Sequence, residues 1–209
     1  MIIQGSPEWR NLRAGKATAS RIKDIIAKTK TGYSTSRENY LTELVIERFG
    51  VINDGFTNSA MQHGTDTEPY ARHAYEVANG VMIDEVDFVP HPTIANAGAS
   101  PDGLIGSDGL LEIKAPNSLT HFNYLLAGVV PEQYKPQMGW QCCCTGAKWV
   151  DFVSFDNRVP DGLQYFQIRY FPEQEYLTYL EKEVTQFLKE VDKKYEQLFA
   201  KVNELKEAS

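Results

Sequence analysis

Apolar residues recur every three or four positions along much of this chain, which is the spacing of helices that bury one face. The most regular run predicts a long C-terminal helix over about 173–205, which we expect to be a structural strut. Ser118 is expected to cap an earlier helix, and Pro131 suits the first turn of the next one. The pattern predicts helices over about 20–27, 37–49, 59–77, 118–126, 131–144 and 173–205.

Strands are predicted where apolar and polar residues alternate between turn-forming residues. These segments cover about 86–90, 94–99, a hairpin within 100–114, 149–156 and 163–170. Residues 28–36 are expected to form a mobile loop, and 51–57 a turn-rich connection. We therefore expect an α/β fold with a central mixed β-sheet of about five strands flanked by helices, in a single domain over 1–209.

The composition is that of an ordinary water-soluble domain. The chain has 209 residues, of which 42% are hydrophobic and 23% charged, enough to bury a core without covalent staples. No apolar run reaches the roughly 18 residues of a membrane span, and the N-terminus lacks a signal-peptide pattern. We expect a cytoplasmic protein, bacterial or phage-encoded, with no membrane partner. The consecutive Cys142, Cys143 and Cys144 cannot pair or chelate one metal together and are expected to be small buried hydrophobes.

Charge is distributed unevenly along the chain. The net charge is −7, but residues 1–50 carry +4 and residues 51–134 carry −9. A basic leading segment beside an acidic middle suits a protein that grips phosphate with one part and holds cations with another. A solvated surface explains the asymmetry equally well.

The hairpin within 100–114 carries the main candidate chemistry. Side chains alternate faces along a strand, so Glu112 and Lys114 share one face while Leu111 and Ile113 share the other. Strand pairing would bring Asp102 near Glu112. Two converging carboxylates and a lysine suit a hard divalent cation and an activated water, and the order Pro-Asp, spacer, Glu-x-Lys resembles the signature of the PD-(D/E)xK nuclease superfamily. Alternatively, the two Asp-Gly pairs are ordinary turns and Glu112 and Lys114 form a solvated face.

Two predicted helices contribute further candidates. Glu68 follows Thr65 at capping-box spacing and precedes Arg72 by four residues, so from the residues alone a structural role is favoured. Gln137 and Gln141 lie four residues apart and therefore share a face of their helix. The four histidines have no spacing that demands a role, and we expect them to be structural.

Five sequence blocks, in order, resemble the phage lambda-type alkaline exonucleases, a family of viral recombinases. The blocks are LRAGKATAS from Leu12, HGTDTEPYA from His63, SPDG from Ser100, LEIKAP from Leu111 and YKPQMGWQ from Tyr134. The resemblance implies the PD-(D/E)xK nuclease fold and hydrolysis of linear duplex DNA from the 5′ end toward the 3′ end. Mononucleotides would be released, 3′ single strands would remain for recombination, and Mg²⁺ would be the cofactor, with Mn²⁺ able to substitute.

The same resemblance implies roles for individual residues. Asp102 and Glu112 would bind the metal with the backbone carbonyl of Ile113, and Glu68 would join them directly or through water. Lys114 would position or activate the attacking water. Gln137 would orient Lys114 or the water, although Gln141 remains an alternative because Gly139 and Trp140 depart from the family pattern.

A DNA-end site is also implied. Arg13, Ser20 and Ser100 would receive the 5′ phosphate, for which a guanidinium and two hydroxyls are suitable. Met61 would be a wedge that separates the terminal base pair, or else a core residue. The implied partners are duplex DNA ends, two further copies in a homotrimeric ring, and a single-strand annealing protein. An endonuclease on the same core and a non-catalytic DNA-end binding module remain alternative functions.

Overall fold

The computed structural model describes residues 5–52 and 58–207, so most of the predicted connection at 51–57 lies outside the described residues. The helices are α1 Pro7–Arg13, α2 Ile22–Ile26, α3 Thr35–Arg48, α4 Ser59–Asn79, α5 Ser118–Ala127, α6 Lys135–Thr145 and α7 Gln174–Glu207. The strands are β1 Ala17–Thr18, β2 Lys28–Thr29, β3 Gly32–Tyr33, β4 Val89–Pro90, β5 Ala97–Ala99, β6 Gly103–Ile105, β7 Gly109–Lys114, β8 Trp149–Phe155 and β9 Tyr165–Tyr170. Short 3₁₀ turns cover Ala19–Arg21, Glu132–Tyr134 and Asp161–Leu163.

The cap of α5 and the start of α6 differ from the prediction. The Asn117 side chain accepts from the backbone N–H of Thr120 at 2.9 Å and caps α5, so the prediction that Ser118 is the cap is wrong. The Ser118 hydroxyl donates instead to Asp156 at 2.6 Å. Helix α6 begins at Lys135 rather than Pro131, since a 3₁₀ turn intervenes.

Helix α4 overturns the capping-box interpretation of Glu68. The helix begins after Asn58, whose side chain accepts from the N–H of Met61 at 2.9 Å. Thr65 therefore lies inside the helix, where its hydroxyl donates to the carbonyl of Met61. The predicted pair between Glu68 and Arg72 is confirmed at 2.7 Å.

The pattern did not reveal helix α1, strand β1 or the hairpin of β2 and β3 in the N-terminal region. Helix α1 is short but carries clear end signals: the Ser6 hydroxyl accepts from the N–H of Trp9, and Pro7 occupies the first turn. Residues 28–36 were expected to be a mobile loop, but β2 and β3 pair there as an antiparallel hairpin that continues into α3.

The strands form two main sheets rather than one sheet of about five strands. The larger has the order β6-β7-β8-β9, with β7 and β8 parallel and the outer pairs antiparallel, which confirms a mixed sheet. The smaller has the order β1-β5-β4. Its strands are short because Pro90 and Pro92 interrupt the segment and Asn96 takes a positive φ of 58° just before β5.

Helices cover both faces of the larger sheet. On one face, Leu111, Ile113 and Val153 pack against Ala71 and Tyr75 of α4. The opposite face packs against α6 through a cluster that contains Leu110, Met138, Val150 and Phe152. Glu112 points to this second face and is fully buried, so the interpretation of Glu112 and Lys114 as a solvated face is wrong.

A third cluster joins α7 to the N-terminal half. Leu180, Val184, Phe187 and Val191 are fully buried against residues of α2, α3 and α6, as the predicted strut requires. Cys142 and Cys144 are buried, and burial raises the pKa of the Cys142 thiol to about 12, which fits inert packing residues. Across 5–52 and 58–207, no helix is long and apolar enough to cross a membrane.

Candidate active site

The β6–β7 hairpin brings Asp102 to Glu112. Gly103 pairs with Leu111, and the N–H of Asp102 donates to the carbonyl of Leu111 at 3.2 Å. Asp102 Oδ2 accepts from the N–H of Ile113 at 2.6 Å, which fixes the carboxylate beside the backbone of β7. The predicted convergence across the hairpin is therefore found in the structure.

Both oxygens of Glu112 are held by side-chain donors. Oε1 lies 2.5 Å from Lys114 Nζ and accepts from Gln137 Nε2 at 2.6 Å. Oε2 accepts from Gln141 Nε2 at 2.6 Å, while Gln141 Oε1 is buried without a hydrogen-bond partner among the described residues. Because the two glutamines lie one turn apart on α6, each donates a hydrogen bond to a different oxygen of the Glu112 carboxylate.

Lys114 lies between carboxylates and an aromatic ring. Its Nζ is 5.2 Å from the centroid of Tyr134, which in turn stacks on Phe152 at 5.4 Å. Burial alone would lower the pKa of Lys114, but the charges of Glu112 and Asp102 outweigh burial and raise it. Lys114 is therefore an ammonium group in this state and acts as a hydrogen-bond donor.

Negative charge exceeds positive charge at the centre of the site. Burial raises the pKa of Asp102 well above its ordinary value, and the neighbouring charge of Glu112 raises it further, against the effect of Lys114. The pKa of Glu68 is also raised, first by burial and then by Glu112, although Arg72 opposes this. Glu68 thus shares the electrostatic environment of the hairpin carboxylates.

The donor set fits a hard divalent cation such as Mg²⁺. Asp102 Oδ2 is engaged, but no hydrogen bond to its other oxygen is found within the described residues. Glu112 Oε2 accepts one hydrogen bond and so retains acceptor capacity. Within the part of the chain that the structure describes, no group of three or more His, Cys, Asp or Glu side chains is arranged to hold a metal by itself. Mg²⁺ does not need one, because it keeps waters and binds through one or two carboxylates and substrate phosphate.

A second site lies beside the N-terminal helices. A cleft of about 350 Å³ is lined by Arg13, Ser20 and Met61, together with Lys16 and Arg21. Met61 is 55% exposed, so the alternative that it is a core residue is wrong.

Arg13 connects this cleft to the hairpin. Its NH1 donates to Ser100 Oγ at 2.9 Å, and its guanidinium stacks 4.0 Å from the centroid of Trp9. Burial lowers the pKa of Arg13 to about 10, so the group remains charged at neutral pH. Ser100 is two positions from Asp102 along the chain, which places the basic cleft next to the carboxylates.

Sequence reasoning missed two features of the site. The contact of Tyr134 with Lys114 joins the 3₁₀ turn before α6 to the end of β7, and no sequence motif links these two residues. Glu85 lies 2.6 Å from Arg72, which also pairs with Glu68, but it belongs to an irregular segment that carries no motif.

Comparisons with known proteins agree with this geometry. The model of the YqaJ-like viral recombinase domain matches residues 8–148. The alkaline exonuclease LHK-Exo of Laribacter hongkongensis is 42% identical, with a TM-score of 0.89 over 96% of this chain and 100% of that one. A structure of LHK-Exo in complex with dAMP has the same identity and coverage, with a TM-score of 0.90.

A phage-related exonuclease of Haemophilus somnus 129PT shares the fold, with 16% identity and a TM-score of 0.65 over 92% of this chain and 99% of that one. No curated protein sequence matches significantly. The family model covers most of the chain and the similarity to LHK-Exo extends over nearly all of it, so the resemblance noted in the sequence blocks is confirmed. The chain belongs to the YqaJ-like viral recombinase family, with the PD-(D/E)xK fold of the lambda-type alkaline exonucleases.

Proposed function

We propose that this protein is a Mg²⁺-dependent exonuclease that degrades linear duplex DNA from the 5′ end toward the 3′ end, with Mn²⁺ as a substitute. The observation that carries the proposal is the hydrogen bond between Arg13 and Ser100, because it joins a basic cleft to the segment that bears Asp102. A pocket for a terminal phosphate beside paired carboxylates suits an enzyme that acts at DNA ends.

The carboxylates would hold the cation. Asp102 and Glu112 are the direct ligands in this proposal, with the carbonyl of Ile113, and Glu68 contributes directly or through water. When bound, Mg²⁺ supplies a water of lowered pKa and neutralises charge on the phosphodiester. The buried, mutually repelling carboxylates support this assignment, since a cation relieves their repulsion.

The other side chains orient the reactants. Lys114 donates a hydrogen bond to the attacking water or to a phosphate oxygen, as its raised pKa favours the ammonium form. Gln137 and Gln141 keep the Glu112 carboxylate in one orientation. Since Oε2 accepts a hydrogen bond from Gln141 alone among the described residues, it retains a lone pair for the cation. The residues that would carry catalysis are Glu68, Asp102, Glu112, Lys114 and Gln137.

The proposed direction of digestion and its product rest on the cleft acting as a pocket for the 5′ phosphate. Arg13, Ser20 and Ser100 would bind the 5′ phosphate, and the exposed Met61 would separate the terminal base pair. The next phosphodiester then lies at the carboxylates, so each hydrolysis releases one mononucleotide and a 3′ single strand grows. LHK-Exo has been crystallised with dAMP, a mononucleotide, which supports this product class for a 42% identical relative.

Assembly is part of the proposal. A homotrimeric ring around the duplex would make digestion processive, and the 3′ strand would pass to a single-strand annealing protein in recombination. Light scattering at working concentration tests the ring: about three times the 23.6 kDa chain mass is expected, and one chain mass would contradict it.

The decisive experiment compares three duplexes in Mg²⁺: linear with a 5′ phosphate, linear with a 5′ hydroxyl, and closed circular. We expect the phosphorylated linear duplex to be lost first, with mononucleotide products, and the circle to survive. Cutting of the circle would identify an endonuclease, because an end-dependent enzyme has no entry point there. Tight binding of duplex ends without any release in Mg²⁺ or Mn²⁺ would identify a non-catalytic module.

A further inference from the structure

Arg72 forms a bridge between two carboxylates at the edge of the site. Its NH2 donates to Glu68 Oε1 at 2.7 Å, and its NH1 lies 2.6 Å from Glu85 Oε1. The Arg72 side chain is only 16% exposed, whereas that of Glu85 is 46% exposed. The guanidinium is therefore held from the solvent side by Glu85 and presents its other branch to Glu68.

Glu68 needs such a partner because it reaches the site from a different element. Asp102 and Glu112 are fixed by the hairpin and by α6, through Ile113 and the two glutamines. Glu68 projects from the middle of α4, and among the described residues its hydrogen-bond partner is Arg72. A glutamate side chain has freely rotating bonds, so without this contact repulsion from Glu112 would turn its carboxylate away.

We infer that Arg72, supported by Glu85, is a positioning residue that keeps the Glu68 carboxylate directed at the metal site. The inference rests on the proposed function, since it concerns what Glu68 does toward a cation. Planar guanidinium geometry lets one side chain contact two carboxylates at once, which a lysine ammonium on a flexible stem does poorly. Partners that orient metal ligands typically contribute about 10–100-fold in metal affinity or activity.

A double-mutant cycle tests whether Arg72 acts through Glu68. Mn²⁺ affinity by isothermal titration calorimetry and turnover of linear duplex are measured for wild type, Arg72→Met, Glu68→Gln and the double variant. We expect Arg72→Met to weaken Mn²⁺ binding about 10–100-fold, with the KM for DNA nearly unchanged, and to add little when Glu68 is already glutamine. Equal losses in both backgrounds would overturn the inference, as would a rise in KM for DNA without loss of Mn²⁺ affinity.

Conservative variants separate positioning from folding. Arg72→Lys should recover part of the loss, and Glu85→Gln should produce a smaller loss in the same direction. The matched control is Arg37→Met, which removes a buried arginine paired with Glu190 between α3 and α7 and should lower stability without changing Mn²⁺ affinity. If Arg37→Met weakens Mn²⁺ binding as much as Arg72→Met, the effect is one of general stability and the inference fails. A wild-type protein that binds no Mn²⁺ would instead refute the proposed metal-dependent function.

Discussion

The Lys114 ammonium group lies beside the negatively charged Glu112 and Asp102. Lys114 is not one of the proposed metal ligands, so its proposed catalytic role can be tested separately from metal binding. Replacing Lys114 with alanine removes the proposed donor to the attacking water but leaves Asp102, Glu112 and both glutamine contacts in place. We therefore expect Lys114→Ala to abolish turnover while Mn²⁺ affinity and duplex binding persist. Calorimetry gives the Mn²⁺ affinity, and fluorescence anisotropy in Ca²⁺ gives duplex binding. Loss of all metal binding would mean that Lys114 is structural.

The two glutamines on Glu112 differ in burial and therefore in the expected effect of their loss. Gln141 is fully buried on Oε2, whereas Gln137 is half-buried on the oxygen that also contacts Lys114. We expect Gln141→Leu to lower the free energy of unfolding by about 1–3 kcal/mol, because a buried carboxylate loses a donor. Gln137→Leu should cost less stability but more turnover. Urea unfolding and steady-state rates of the two variants compare these effects, and a reversed order would make Gln141 the site glutamine.

For individual residues of the site, the sequence predicted the contacts that local strand pairing determines. Asp102 and Glu112 converge because a short hairpin joins their strands, so turn residues and alternation were sufficient. The burial of Glu112 and the contact between Lys114 and Tyr134 depend on α6 crossing the sheet, which no local pattern specifies. The ion pair of Glu68 with Arg72 was found from spacing, but its extension to Glu85 was not.

At the scale of elements, α6 positions both glutamines, and its packing on α7 explains the departure at Gly139 from the family pattern. A Cβ on Gly139 would lie 2.9 Å from Leu180 Cδ1 and 3.3 Å from a ring atom of Tyr176. Gly139→Val should therefore destabilise the protein by about 1–3 kcal/mol through overpacking, and should reduce turnover by displacing α6. Urea unfolding is the measurement.

Gly64 provides the matched control for Gly139, because it is also helical but a Cβ added there would meet no described atom within 4 Å apart from its chain neighbours and the nearby backbone of its own helix. The same substitution, Gly64→Val, should change stability by less than about 0.5 kcal/mol, because valine and glycine differ little in helix propensity. Equal stability changes at the two glycines would show that helix packing does not select glycine at 139.

Element boundaries were predictable where periodicity is long and failed where segments are short. Helices α3, α4 and α7 lie close to their predicted ranges because several turns of apolar spacing define them. Strands β4 and β5 fall within the predicted segments 86–90 and 94–99, but β1 and its pairing with β5 were missed. A strand of two residues leaves no alternation, and the pairing joins positions far apart in the chain, as at Ala17 and Ala97. Whether such short strands form depends on tertiary contacts.

On the scale of the whole molecule, the uneven charge along the chain corresponds to two separate regions, the basic cleft and the acidic carboxylate cluster. The basic segment 1–50, with a net charge of +4, supplies Arg13, Lys16 and Arg21 to the cleft. The acidic segment 51–134, with a net charge of −9, supplies Glu68, Asp102 and Glu112. The hydrogen bond from Arg13 to Ser100 joins the two, so an overall acidic protein can present a local basic pocket.

This division predicts how metal and pH together control stability. Asp102 and Glu68 have raised pKa values, chiefly from burial and then from neighbouring charge. Without metal, their contribution to stability is therefore greatest at a pH below their ordinary pKa values. It is lost as the pH rises through the raised pKa values. A cation binds the ionised carboxylates, so it should release protons on binding and stabilise the protein more at pH 8 than at pH 6. Thermal unfolding with and without Mg²⁺ across this range measures the effect.

Asp102→Asn isolates the contribution of that carboxylate, since the amide oxygen can still accept from the N–H of Ile113. Other acids titrate in the opposite direction, as with Asp156, whose pKa is lowered to about 2 through the Arg158 and Ser118 hydrogen bonds despite its burial. Subtracting the stability of Asp102→Asn from that of wild type at each pH cancels the contributions of these other acids. Without metal the variant should be the more stable protein at neutral pH, and this advantage should vanish in acid, where Asp102 is protonated. Mg²⁺ should then stabilise wild type but not the variant. Equal stabilisation of both proteins would place the cation elsewhere, and the excess negative charge at Asp102 would need a different explanation.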